Sequence, residues 1–152
     1  MSNLLEDTPT KDLPWLLTQI HEREIALPDF QRDFVWDPAA TQELIVSIAN
    51  NYPAGSLLAI RNTHSYFAAR EFEGAPRLDK LKPTYLILDG QQRLTSLYQA
   101  FHGVGDNLYF IRLKDLLGGK DMEDSIFHVR RNAHKGWQAR LIRKYAAVEG
   151  QA

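Results

Sequence analysis

Apolar side chains at Leu13, Leu16, Leu17 and Ile20 fall on one stripe at helical spacing. Thr10 is placed to cap that helix, which should run for about twelve residues. Pro14 lies in or just after its first turn, where a missing N–H costs least. Glu24 to Leu27 then reads as a short strand stopped by Pro28. Asp37-Pro38 is a helix start, with Asp37 as N-cap and Pro38 at the first helical position. Leu44, Ile45 and Ile48 supply the buried stripe of this second helix, and Asn50-Asn51-Tyr52-Pro53 ends it. After a turn at Ala54-Gly55, Ser56 to Ile60 is an apolar run of strand length. Residues 61–83 show no period and read as a long loop with room for a short hairpin. Loops of that length are usually functional or disordered.

Tyr85 to Leu88 is a buried-type strand that Asp89-Gly90 breaks. A helix from Gln91 to His102 should bury Leu94, Leu97, Tyr98 and Phe101, with Gly103 as its stop. Leu108 to Leu113 alternates like a strand. Asp115 to Leu117 fits one helical turn closed by Gly118-Gly119, and Ile126 to Arg130 is the last strand. A final helix fits around Trp137 to Ala147. The mixed order predicts a small α+β domain rather than a regular βαβ array.

The chain's 152 residues fit one domain with a sizeable core. Residues 1–9 are polar and predicted flexible, 10–130 form the domain, and 131–152 form a basic tail or the start of a linker. No apolar run is long enough to span a bilayer, and the first residues lack the features of a secretory signal. There are no cysteines, so neither a disulfide framework nor a thiolate metal site is open to the chain. These features fit a cytoplasmic protein with no membrane partner. The net charge of -1 conceals an asymmetry, because the acidic residues crowd the first 60 positions and the basic ones the rest.

The segment richest in chemistry is Tyr85 to Leu97. A hydrophobic strand runs into Asp89-Gly90, and Gln91-Gln92-Arg93 opens an amphipathic helix. A helix amino terminus offers free N–H groups and the positive end of a dipole, which suits phosphate. Gly90 lets the backbone turn sharply and lets a ligand come close. Arg93 supplies a positive fork for phosphate oxygens. Gln91 and Gln92 add neutral donors and acceptors, and Asp89 can hold a metal ion or orient a water. Residue order fits a plain helix start equally well, with Asp89 as N-cap and Arg93 solvated.

A second segment, Ile25 to Asp37, places Gln31-Arg32 among Phe30, Phe34 and Trp36. Phe34 and Trp36 read as core anchors for an irregular loop. Gln31 and Arg32, polar residues on a pinned loop, are positioned for a ligand.

Three runs then make a series. They are Pro28-x-Phe30-Gln31-Arg32-x-Phe34-Val35-Trp36, Ser47-Ile48 with Pro53-x-Gly55, and Leu88-Asp89-Gly90-Gln91-Gln92-Arg93-Leu94-Thr95. The series resembles the amino-terminal domain of GmrSD-type modification-dependent restriction enzymes over residues 10–115. That domain is similar to the ParB and sulfiredoxin-like fold, a small mixed sheet with flanking helices. The resemblance implies nucleoside triphosphate binding and hydrolysis at the Asp89-Gly90-Gln91-Gln92-Arg93 motif, licensing DNA cleavage by a partner nuclease region. It implies catalytic roles for Asp89, Gln91 and Arg93, with Mg2+ beside Asp89. Gln31, Arg32, Gly90, Gln92 and Thr95 would complete the nucleotide site, with Ser96 beside them. The family's following His-Asn-His nuclease domain has no counterpart in this sequence, so DNA cutting is not expected of this chain alone.

Gly118-Gly119-Lys120 lacks the remaining positions of a phosphate loop and reads as a surface turn. The stretch His128 to Lys144 carries Arg130, Arg131, Lys135, Arg140, Arg143 and Lys144 with no acid between them, and Trp137 and Tyr145 interleave. It reads either as a nucleic-acid groove or as a solvated face. The competing function is therefore a non-catalytic module that recognises modified DNA. The histidines at 21, 64, 102, 128 and 134 show no metal-ligand spacing, and no paired carboxylates point to a nuclease.

Overall fold

The computed structural model describes residues 11–64, 67–133 and 136–149. Thr10, Lys135 and the amino-terminal segment 1–9 lie outside them, as does the side chain of Tyr145. The first helix, α1 (Leu13–His21), is capped by Asp12, whose Oδ1 accepts from the Trp15 amide at 2.8 Å. Strand β1 (Ile25–Pro28) follows and keeps Pro28 as its last residue. A terminal position tolerates the missing N–H that would break a strand interior. Asp37 caps α2 (Pro38–Ala49) by accepting from the Ala39 amide at 2.8 Å, with Pro38 opening the helix. Next come β2 (Leu58–Arg61), the two-residue β3 (Ala69–Arg70), β4 (Tyr85–Asp89) and α3 (Gln91–His102). The chain then runs through β5 (Asn107–Ile111), α4 (Leu113–Leu117), α5 (Met122–Ser125), β6 (Ile126–Arg130) and α6 (Gly136–Glu149).

The architecture is mixed α+β, with a small mixed sheet and flanking helices. Its strand order is β2-β4-β1-β3. Strands β1 and β4 run parallel at the centre, with Ile25 beside Tyr85 and Ala26 beside Leu86. Strands β2 and β3 are antiparallel edges. Strands β5 and β6 form a separate antiparallel pair, from Asn107–Arg130 to Ile111–Ile126.

The main core lies where α1 and α3 cover one face of the sheet. Leu17, Ile20, Ile25, Leu27, Ile87, Leu94, Leu97 and Tyr98 meet there. Phe72 joins that core from the segment expected to be loop, and Leu78 packs on the opposite sheet face against Ala26 and Leu86. Residues 71–83 thus supply core through isolated anchors, which leave no periodic trace in sequence.

Three local expectations are corrected. Phe101 is 57% exposed. One turn past Tyr98, α3 has outrun the cover of α1, which ends at His21, and the His102 ring stacks there on Tyr98 and His21, at 4.2 and 5.0 Å. Second, α5 was not expected, since Met122–Ser125 is too short to show a period. Third, α2 buries Thr41 and Val46 most deeply, while Leu44, Ile45 and Ile48 pack half-buried against the main core.

Candidate functional site

Strand β4 leaves the core at Leu88, and Asp89 is its last residue. The neighbouring edge strand shifts register between Leu58 and Ala59, opposite this end. Gly90 then takes a left-handed conformation, φ 88°, and α3 begins. A Cβ at Gly90 would collide with the Leu57 side chain, so both backbone angle and crowding require glycine. No side chain caps α3. Asp89 therefore does not serve as N-cap, and the first amides of the helix are left for solvent or a ligand.

Those amides open into a cleft of about 190 Å³. Gln31, Arg32 and Trp36 line one side, and Leu88 to Arg93 line the other. The structure thus brings seven of the eight expected binding residues together: Gln31, Arg32, Asp89, Gly90, Gln91, Gln92 and Arg93. Thr95 is not among them. It is buried inside α3, and its hydroxyl donates to the Gln91 carbonyl at 2.8 Å, one turn back. Ser96 likewise turns inward and donates to the Arg93 carbonyl at 2.8 Å.

Hydrogen bonds divide the seven into two groups. Gln31 donates to the Leu88 carbonyl at 2.8 Å, tying the loop after β1 to the end of β4. Gln91 donates to the Arg32 carbonyl at 2.6 Å. Gln92 donates to the Asp33 carbonyl at 3.0 Å and accepts from the Val35 amide at 3.0 Å. Arg93 donates to the carbonyls of Ala54 and Ser56 at 2.7 and 2.6 Å. These side chains fasten two loops, of which the one carrying Gln31, Arg32 and Trp36 walls the cleft. Arg70 of β3 completes the fastening by donating to the carbonyls of Gln31 and Arg32 at 3.0 and 2.9 Å.

The second group faces outward. Among the described residues the Arg32 side chain has no partner, and it is exposed at the cleft. The Asp89 carboxylate is 72% exposed and lies 3.8 Å from the Arg93 guanidinium. Arg93 spends two of its five donors on Ala54 and Ser56 and keeps the rest. The cleft thus joins two guanidinium groups, one carboxylate and uncapped amides, a combination that favours an anion.

Three contributors were not foreseen. Arg70 acts from a strand of two residues, too short to read from sequence. Gly55 leaves room for Arg93: it sits at φ 89°, and a Cβ there would strike the guanidinium. The Pro53-x-Gly55 run was a trace of this. Trp36, expected in the core, is half-buried on the cleft wall, and its indole N–H is buried without an acceptor among the described residues.

Among the described residues no group of three His, Cys, Asp or Glu side chains could hold a metal ion. Asp89 is the one carboxylate lining the cleft. Such a donor set fits a magnesium ion that arrives on phosphate oxygens and keeps several of its waters, not an ion caged by protein. No helix among the described residues is long and apolar enough to cross a membrane.

Comparison with known proteins places the chain. The model of the family described as GmrSD restriction endonuclease, N-terminal domain, matches residues 15–148. An uncharacterized protein of Methanocaldococcus jannaschii is 36% identical over 140 residues, an alignment that covers 83% of this chain and 24% of that protein. The chain therefore spans about a quarter of the length of the curated relative it matches. No solved structure matches it.

Proposed function

The chain belongs to the GmrSD restriction endonuclease N-terminal domain family, and from that membership and the cleft we propose that it is the nucleoside triphosphate-binding and hydrolysing module of a modification-dependent DNA restriction system. Within this reading the fold is ParB-like, the nuclease is a separate domain or subunit, and the system acts in the cytoplasm against phage DNA.

One observation carries the reading. The uncapped start of α3 opens onto a cleft whose Arg32 guanidinium has no partner among the described residues. The Arg32 backbone is held by bonds from Gln91 and Arg70 to its carbonyl, so its exposed side chain projects from a fixed point beside the cleft. Its donors are available to an anion, and a guanidinium suits phosphate oxygens. In hydrolysis, water forms a bond to the terminal phosphorus and gives up a proton to solvent, the bond from that phosphorus to the bridging oxygen breaks, and nucleoside diphosphate and phosphate leave. The chain's part is positioning and charge neutralisation. Amides of Gln91 and Gln92, Arg32 and the remaining donors of Arg93 would hold phosphate oxygens, and Asp89 at the mouth would orient water or help hold magnesium. Magnesium, when bound, neutralises phosphate charge beside Asp89.

The test is phosphate release from each of the four nucleoside triphosphates with magnesium, by the chain and by Arg32→Ala. Release by the chain and a large loss in the variant are expected. Equal release by both, or none by either, rejects the assignment.

One observation favours a second reading, recognition of modified DNA without catalysis: Arg130, Arg140, Arg143 and Lys144 are exposed on β6 and α6. Arg131 is withdrawn from such a face, because it donates to the Gly103 and Gly105 carbonyls. This reading requires salt-dependent binding of modified duplex with no nucleotide present, and no binding at low salt would exclude it.

A further inference from the structure

A second hollow, of about 260 Å³, adjoins the first. Trp36 lines both. We propose that this second hollow is the seat of the nucleobase, with Trp36 as the hinge between base and phosphates and Asn107 as the side chain that reads the base edge. The inference rests on the nucleotide reading of the first cleft and adds to it the part of the ligand that sets specificity.

Size comes first. A cavity of about 150 Å³ holds a benzene ring, so this one admits a planar heterocycle and part of a ribose. Its apolar walls are Phe34, Trp36 and Pro38. Rings and a proline face supply the flat contact on which bases stack.

Charge divides the two hollows. Arg32 and Arg93 stand against the single carboxylate of Asp89 in the first, so it is net positive. The second is lined by Glu73 and Asp106, with no cationic side chain among the described residues. That hollow repels phosphate and accepts from N–H groups. A ligand anionic at one end and a neutral N–H-bearing heterocycle at the other matches both.

Two polar groups of the residues lining this hollow are unpaired among the described residues. The Asn107 carboxamide is half-buried and makes no bond to a described residue. It both donates and accepts, which is what a base edge presents. The buried indole N–H of Trp36 has no acceptor.

Spacing agrees. Gln92 lines the first hollow and Gln99 the second. Seven residues along a helix span about 10 Å, a distance that ribose and a phosphate chain bridge.

Calorimetric titrations of the whole chain with magnesium tripolyphosphate and with each magnesium nucleoside triphosphate test this. Asn107→Ala, the milder Asn107→Ser and Trp36→Phe serve as variants. At least one nucleoside triphosphate is expected to bind about tenfold more tightly than tripolyphosphate, which by itself is worth ~1.4 kcal/mol. The Asn107 variants should lose that advantage and keep tripolyphosphate affinity. Equal affinity of the wild type for tripolyphosphate and all four nucleotides would overturn the base site and leave the phosphate cleft standing. A nucleotide advantage that survives in every variant would also overturn it. No binding of any of these ligands would overturn the phosphate cleft, and the base site with it.

Discussion

Replacing Arg32 by alanine separates ligand binding from folding more cleanly than any other change in this protein. The Arg32 side chain is exposed and has no partner among the described residues. The bonds that use this residue involve its carbonyl, which accepts from Gln91 and Arg70 and survives the substitution. Exposed positions of this kind shift stability by no more than about 0.5 kcal/mol, so the melting curve should be unchanged. Binding should change greatly. Removing one charge-assisted hydrogen bond costs about 1.5–3 kcal/mol, or about 10- to 150-fold in affinity. The assay pairs thermal unfolding with calorimetric titration of a magnesium nucleoside triphosphate, at one salt concentration because exposed charges are screened. An Arg32→Ala protein that melts like the wild type and binds equally well would refute the reasoning. So would one that binds poorly only because it is unfolded.

The fastening residues should behave in the opposite way. Gln92→Ala removes two bonds to the Asp33–Val35 loop from a buried carboxamide, and should cost about 2–4 kcal/mol, read as a fall in the urea midpoint; an unaltered midpoint would contradict this. Gly55→Ala forces alanine into a left-handed conformation and pushes on the Arg93 guanidinium. It should lower stability by about 2–4 kcal/mol from strain and displaced bonds, and a wild-type melt would count against it. His102 is held below its ordinary value near 6.5 by burial and then by the neighbouring His21. Its neutral form is therefore favoured on folding, so its stabilisation is full above about pH 6.5 and fades as pH falls below that. Between about pH 7.5 and about pH 5.5 the wild type should lose more melting temperature than His102→Asn, and equal losses would contradict the assignment.

Sequence patterning located the strand–glycine–helix junction at the cleft and described its parts less well. The strand–glycine–helix junction at Leu88 to Gln91 was legible because buried strands, turn glycines and amphipathic helices each leave local signatures. The meeting of Gln31 and Arg32 with Asp89 to Arg93 was legible through the family resemblance and not through spacing, since it rests on contacts nearly sixty residues apart. The division of labour was hidden. Sequence shows that Gln91, Gln92 and Arg93 are polar and next to a turn. It cannot show that Gln91, Gln92 and two donors of Arg93 hold loop carbonyls, while the Arg32 side chain has no partner among the described residues. Phe72 and Leu78 escaped notice for a related reason: single anchors in an irregular segment carry no period. Thr95 was assigned to the ligand because it follows the motif, but helical geometry turns it inward to the Gln91 carbonyl.

The central claim is that phosphate meets the open start of α3, and backbone amide resonances report on it directly. As a magnesium nucleoside triphosphate is added to isotope-labelled protein, the amides of Gly90, Gln91 and Gln92 should shift most, with the Arg32 guanidinium signal moving alongside them. Shifts confined to α6, or a spectrum in which residues 90–92 stay still while the ligand binds elsewhere, would contradict the account.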